Sequence, residues 1–467
     1  MDHARRARHH SDPASGDGSG QIFVSERAGG KVLAWSLAVA LAGFLFGFDT
    51  SVISGAEASI KELWHLTSYE HGFTISIALI GTVFGALFGG IPADRYGRRN
   101  TLVAIAVLYL VSAVGAALAP TWIPFLVARF VGGLGVGASS VAAPLYISEI
   151  AAAKSRGRLV GLFQFNIVFG IIVAYLSNYL IASLSHGDVS WRWMLGIQAF
   201  PSVAFLAFLS IVPESPRWLL RVKGDRERAL ATLRMIEPDT AEQTVDKILA
   251  ERAHETKGDV ALFSREHAKP IALAMLFAFF NQTSGINAIL YYAPRIFGMA
   301  HLDAKASLLS SVGVGVVNFL FTLTAVNIMD RFGRRSLMLI GSVGLIVTLG
   351  LVALAFHGTI GGSFVPVLLF AYIAFFAFSQ GAVIWVFISE IFPNAVRGKG
   401  QALGSFTHWF MAAVIAFSFP VIAEKFGGTA IFGFFCAMMV AQLVFVIRYM
   451  PETKGTALEA MDTVLVH

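Results

Sequence analysis

Within a long apolar run, residues 281–297 read NQTSGINAILYYAPRIF. Asn281, Gln282 and Asn287 offer amide donors and acceptors without charge. That chemistry suits a neutral solute rich in hydroxyl groups. Gly285 lets the chain leave helical geometry there. Backbone that leaves the helix at membrane depth is tolerated only where it faces protein or a wet cavity, and broken helices mark midplane binding sites in transporters. One such amide would read as glue between two helices; three around one glycine point to a binding site. A second set of residues carries charge. Asp49, in FLFGFDTSV, and Arg129, in PFLVARFVGG, are the acid and the arginine expected deep in apolar segments. Each costs about 2.5–3.5 kcal/mol at a helix centre, so each is a functional candidate. Burial raises a carboxyl pKa and a neighbouring guanidinium lowers it. A pair that forms and parts therefore takes up and releases a proton; the alternative is a permanent structural ion pair.

The elements that must position these groups are membrane helices. Of 467 residues 56% are hydrophobic and 14% charged, against about 25% charged in a soluble domain. A helix needs about 20 apolar residues to cross. Twelve candidate spans fall near 32–54, 71–92, 100–119, 122–146, 158–184, 193–212, 269–297, 305–329, 336–356, 364–391, 401–423 and 428–449. The expected class is an all-α membrane protein of two six-helix bundles, 31–212 and 269–450. Residues 213–268 form a polar segment with short helices between the bundles. Residues 1–30 are polar and expected to be disordered, and 451–467 form a short tail. The net charge of +6 does not call for nucleic acid, because Lys and Arg gather in short loops on one side: Arg95, Arg98 and Arg99; Lys154, Arg156 and Arg158; Arg331, Arg334 and Arg335; Arg397 and Lys399. The opposite loops hold Lys61, Arg192, Lys305 and Lys425. This asymmetry puts the basic loops and both termini in the cytoplasm of a multi-pass inner-membrane protein. The lone cysteine, Cys436, lies in an apolar segment and reads as packing. No metal-ligand or nucleophile motif is present.

The halves repeat each other. DRYGRR starts at Asp94 and DRFGRR at Asp330, 236 residues later; ISEI starts at Ile147 and again at Ile388, 241 later; PESPR starts at Pro213 and PETKG at Pro451, 238 later. The repeated motifs put Asp94, Arg98, Glu149, Arg156, Glu214, Arg217, Arg334, Glu390, Arg397 and Glu452 at the basic ends of helices. Opposite charges there are expected to bridge the two halves and latch that side shut.

These motifs resemble the sugar porter family of the major facilitator superfamily. The resemblance rests on DRYGRR, PLYISEI with RGRLVG, PESPRWLL, QTSGINAILYYAP, ISEIFPNAVRGKG and PETKG, and it covers about residues 30–455. It implies that Phe46, Gln164, Asn281, Gln282, Asn287, Tyr291, Gly381, Trp385, His408 and Trp409 line a sugar site, with Tyr291 and Tyr292 covering it from outside. It also implies that Asp49 and Arg129 couple transport to a proton, as in the proton-driven members. Three positions depart from the family pattern. Asn281 stands where Gln is usual, Ile171 where several symporters carry a Gln, and His408, which can titrate near neutral pH, where Asn or Gln is common. The expected function is import of a monosaccharide by proton symport, with no cofactor beyond the proton, in a monomer embedded in lipid. A passive sugar uniporter, an inositol carrier, a drug exporter and a sugar sensor are the alternatives.

Overall fold

The computed structural model describes residues 18–152, 155–184, 187, 189–254, 261–393 and 396–454; of these, the side chains of 18–29, 252–254, 326 and 330 are not described. The helix is already under way at Gly18, inside the stretch expected to be disordered. Once nucleated, a helix gains a bond for each residue added. Residues 1–17, and the tail from 455, lie outside the described residues.

In chain order the membrane-spanning helices are α1 (Gly18–Leu63), α2 (Ser68–Phe88), α3 (Arg98–Leu118), α4 (Trp122–Ile150), α5 (Arg156–Leu184), α6 (Ser190–Ile211), α7 (Arg265–Met299), α8 (Ala304–Phe332), α9 (Arg334–His357) and α10 (Gly362–Glu390). A last helical run, Arg397–Tyr449, has 53 residues, which at 1.5 Å per residue is about 80 Å, more than twice a bilayer core. At Gly427 the chain turns to φ 72°, ψ 179°. The run is therefore two helices, α11 (397–426) and α12 (428–449), and the chain crosses twelve times. Among the described residues there is no strand, as expected where lipid leaves the backbone no partner outside its own helix.

Within the first half α1 packs on α5 and α2 on α4; in the second half α9 packs on α12. The halves meet along α2–α11, α5–α8 and α1–α7. One of these seams has no room for a side chain. A Cβ on Gly72 of α2 would lie 2.2 Å from the carbonyl oxygen of Phe417 on α11. Helix starts are fixed by their own sequence: Thr67 and Glu70 form a reciprocal capping box that opens α2, and Asp303 caps α8. The segment between the halves carries helices Arg226–Ile236 and Ala241–His254. These bury Leu233, Val245 and Ile248 against Trp218 and Leu220, and the Trp218 indole donates to the Asp94 carbonyl at 2.7 Å.

Candidate functional site

Helix α7 is broken where its sequence allows. Ala268–Thr283 and Ile286–Met299 are separate helices, joined through Gly285 at φ 89°. A Cβ there would meet the Phe435 ring at 2.4 Å, so both the backbone angle and the space require glycine. Carbonyls left without a helical partner are caught by tyrosines. Tyr372 donates to the Ser284 oxygen at the break, 3.0 Å. Pro294 cannot donate to Leu290 four residues back; the Leu290 oxygen instead accepts from Tyr175 of α5, in the other half, at 2.7 Å. Pro420 leaves the Ala416 oxygen in the same position, and Tyr292 donates to it at 2.9 Å.

Beside the break the amides converge. Gln282 donates to Asn281 Oδ1 at 3.0 Å, accepts from Asn287 at 2.7 Å and lies 3.1–3.2 Å from both His408 ring nitrogens. All four side chains are buried. Aromatic rings frame them: Trp385 and Trp409 each stand 4.8 Å from His408 between centroids, and Phe46 of α1 reaches across from the first half to Trp409 at 5.6 Å. Gly381, one turn before Trp385 on α10, is half-buried against Phe376. Gln164 is half-buried on α5, and among the described contacts it has no hydrogen bond to the cluster. Ile171 is buried in the core. Other buried amides do act as glue: Asn178 donates to the Val52 oxygen and Gln442 to Ser342.

Asp49 and Arg129 form a buried ion pair, Nη1 to Oδ1 2.8 Å, and a second guanidinium nitrogen lies 3.4 Å from the Asp49 main-chain oxygen. Each residue is 2% exposed. Tyr291 lies near this pair. It sits one turn beyond Asn287 on α7, fully buried, with its hydroxyl by Thr50 and within the field of Asp49 and Arg129.

A family described as "Sugar (and other) transporter" matches residues 35–465. The chain belongs to this family, the sugar porters of the major facilitator superfamily. It is 35% identical to the D-xylose-proton symporter of Escherichia coli over 91% of this chain and 94% of that protein. It is likewise 35% identical to the arabinose-proton symporter of Bacillus subtilis, over 93% and 95%. Among solved structures, the inward-open E. coli xylose transporter XylE superimposes with a TM-score of 0.83 at 34% identity, covering 93% and 99% of the two chains. XylE bound to 6-bromo-6-deoxy-D-glucose gives 0.77 at 34% identity, over 94% and 99%.

In this sugar porter the basic-end charges pair differently from the expectation. Arg98 makes a forked contact with Glu149, 3.0 Å, and Arg334 meets Glu390 at 2.9 Å; each pair lies inside one half. Glu214 accepts the main-chain N–H groups of Arg98 and Arg99 (2.9 and 3.1 Å), and Glu452 those of Arg334 and Arg335 (2.9 and 3.0 Å). These carboxylates cap the starts of α3 and α9, where the helix dipole favours them. Ser215 bonds Glu149 as Thr453 bonds Glu390. The three repeated motifs of each half thus knit one half together, because the ends of α4 and α6 lie beside the start of α3, and those of α10 and α12 beside α9. Asp94 pairs with Arg98 at 3.2 Å and is largely exposed; Arg217 reaches Glu251 in the linker at 3.4 Å. Arg156 and Arg397 donate to nearby carbonyls of their own half, Ser148 and Phe392. The described ion pairs at this end do not cross between halves.

The halves are joined at the opposite end, by residues the sequence reading passed over. His71 of α2 lies 2.8 Å from Glu57 of α1 and 3.1 Å from Arg295 of α7. Glu57 is 2% exposed and His71 fully buried, so Asp49 is not the only deep acid. Two ionisable residues in otherwise apolar spans were the available signal. Tyr292 stacks on Phe419 at 4.8 Å and stands edge-on to His71. A cavity of about 1020 Å³ opens at this end between α1, α6, α7 and α8. It does not coincide with the amide cluster, and it is lined by Glu57, Lys61, His65 and Arg295 among others, so it reads as a charged vestibule and not as the sugar site.

Proposed function

We propose that this chain imports a monosaccharide, a hexose or pentose, together with a proton by alternating access. The observation that carries the reading is the juxtaposition of an uncharged amide cluster framed by tryptophans with a buried Asp49–Arg129 pair, with Tyr291 near that pair and one turn from Asn287 on α7. With no sugar bound, Asn281, Gln282, Asn287 and His408 satisfy one another. Sugar hydroxyls, which both donate and accept, replace those contacts one for one, and the indole faces of Trp385 and Trp409 take the C–H side of the ring. Gln164 and Gly381 border the site from α5 and α10. Protonating Asp49 removes the charge that holds Arg129, and the change reaches α7 through Tyr291. Neither event is covalent; each shifts a balance between two conformations.

The basic face is the cytoplasmic one, with both termini on that side, and the protein works as a monomer with no cofactor besides the coupling proton. The joined outer end and the separate basic-end networks fit an inward-facing state, in keeping with the resemblance to inward-open XylE. In the outward-facing state Glu149 and Glu390 would meet Arg397 and Arg156 of the opposite half, completing the latch. Reconstitution in liposomes with labelled xylose, arabinose or glucose tests the reading. Accumulation that requires an inward proton gradient supports it; equilibration indifferent to the gradient refutes the coupling.

A further inference from the structure

The Glu57–His71–Arg295 cluster joins the two halves at the end opposite the basic loops. Glu57 and His71 belong to the first half and Arg295 to the second. A guanidinium only donates. Arg295 Nη1 stands 3.1 Å from His71 Nδ1 in hydrogen-bonding geometry, so Nδ1 bears a lone pair and the ring proton sits on Nε2. That edge faces Glu57 Oε2 at 2.8 Å. The approach is close but off the hydrogen-bond direction, and neither atom completes a bond elsewhere. The charge that holds Glu57 in the cluster is therefore that of Arg295, 3.8 Å from the same oxygen, and not that of the neutral ring.

A proton added at Nδ1 acts unequally on the two contacts. The contact to Glu57, within the first half, gains charge. The contact to Arg295, across the halves, loses its acceptor and becomes two cations face to face, in a place where His71 has no solvent to turn to. We propose that His71 is a second proton site, distinct from Asp49, whose protonation from the outer side releases Arg295 and unlatches the outer gate.

The surroundings leave this contact in command. On α1, Glu57 and Lys61 face the cluster, and Glu62 and His65 line the vestibule beside them. On α2, Tyr69 meets Lys425, and Glu70 is bound to Thr67. On α7, Tyr292 is spent on the Ala416 carbonyl. From α11, Lys425 touches Tyr69 at 3.2 Å and Glu424 touches Lys61 at 3.9 Å, both solvent-exposed contacts of the kind that count for little. The vestibule gives protons a route to Glu57 from the surface.

The inference rests on the proposed orientation and alternating access, so its test uses neither sugar nor gradient, and labelled-sugar uptake is measured separately. A single cysteine, Ala413→Cys with Cys436→Ser, lies buried one turn inside the Phe417 seam. Its reaction with an impermeant maleimide from outside is normalised to Leu184→Cys, which is 83% exposed at the end of α5, to cancel thiolate titration. The normalised rate is expected to rise on acidification from about pH 7.5 to about pH 5.5, by up to about tenfold per unit. His71→Gln, whose amide can still accept from Arg295 but does not titrate, should flatten the response. A flat response in the parent protein overturns the proposal, as does one that persists in His71→Gln. Sugar uptake by a parent protein with a flat response would sink the second site and leave the transport reading standing.

Discussion

Replacing Asp49 with Asn removes one charge and almost no volume. The oxygen that meets Arg129 at 2.8 Å remains as an amide carbonyl, and the main-chain oxygen at 3.4 Å still faces the guanidinium. The cost falls on Arg129, a 2% exposed cation left without its counter-charge. Breaking a buried pair on one side costs about 3–5 kcal/mol when nothing replaces the partner. Two retained acceptors keep the expected loss at or below the lower end, so the protein should still fold. Transport is affected in a different way. A gradient of one pH unit is worth about 1.36 kcal/mol, enough for up to about tenfold accumulation at one proton per sugar. In proteoliposomes the parent protein should approach that ratio. Asp49→Asn should stop near equal concentrations while retaining exchange of labelled for unlabelled sugar. The double variant Asp49→Asn/Arg129→Gln removes both charges, which costs little stability; it should be uncoupled too, separating lost coupling from lost fold. Gradient-driven accumulation by Asp49→Asn would refute the coupling role.

Three further outcomes follow from particular contacts. Gln282→Ala leaves Asn281, Asn287 and His408 short of partners and should weaken sugar binding about 10–100-fold, at about 1.4 kcal/mol per decade, read by competition for labelled sugar. Gly285→Ala forces a side chain into left-handed geometry at about 1–2 kcal/mol and into the Phe435 ring besides; a clear fall in the melting temperature of detergent-purified protein is expected, and an unchanged one would contradict the break. Neutralising Glu149 and Arg397 together should raise the inward-facing fraction, measured by accessibility labelling from the basic face. An unchanged fraction would rule out the cross-half latch.

Much of the architecture was legible because lipid allows so few alternatives. Twelve apolar runs, a repeat at offsets of 236 to 241 residues and a Lys/Arg bias are enough to read two six-helix halves. The break in α7 was legible too, since a glycine among amides has few other uses at membrane depth. The partners of the basic-end charges were not. A motif places an arginine at a helix end, but which carboxylate it meets depends on which helix ends are neighbours, and here those belong to the same half.

The sequence by itself determined the membrane class, the duplication, the amide cluster on the seventh helix and the buried acid and arginine. Each of these follows from local composition or spacing. Only the tertiary structure decided that Asp49 lies on Arg129, that Phe46 reaches Trp409 from the other half, and that Glu57, His71 and Arg295 meet at the end opposite the basic loops. Those contacts join residues that are distant in the chain. They also belong to one of two conformations that the same sequence must keep within a few kcal/mol of each other, so no local pattern can record them.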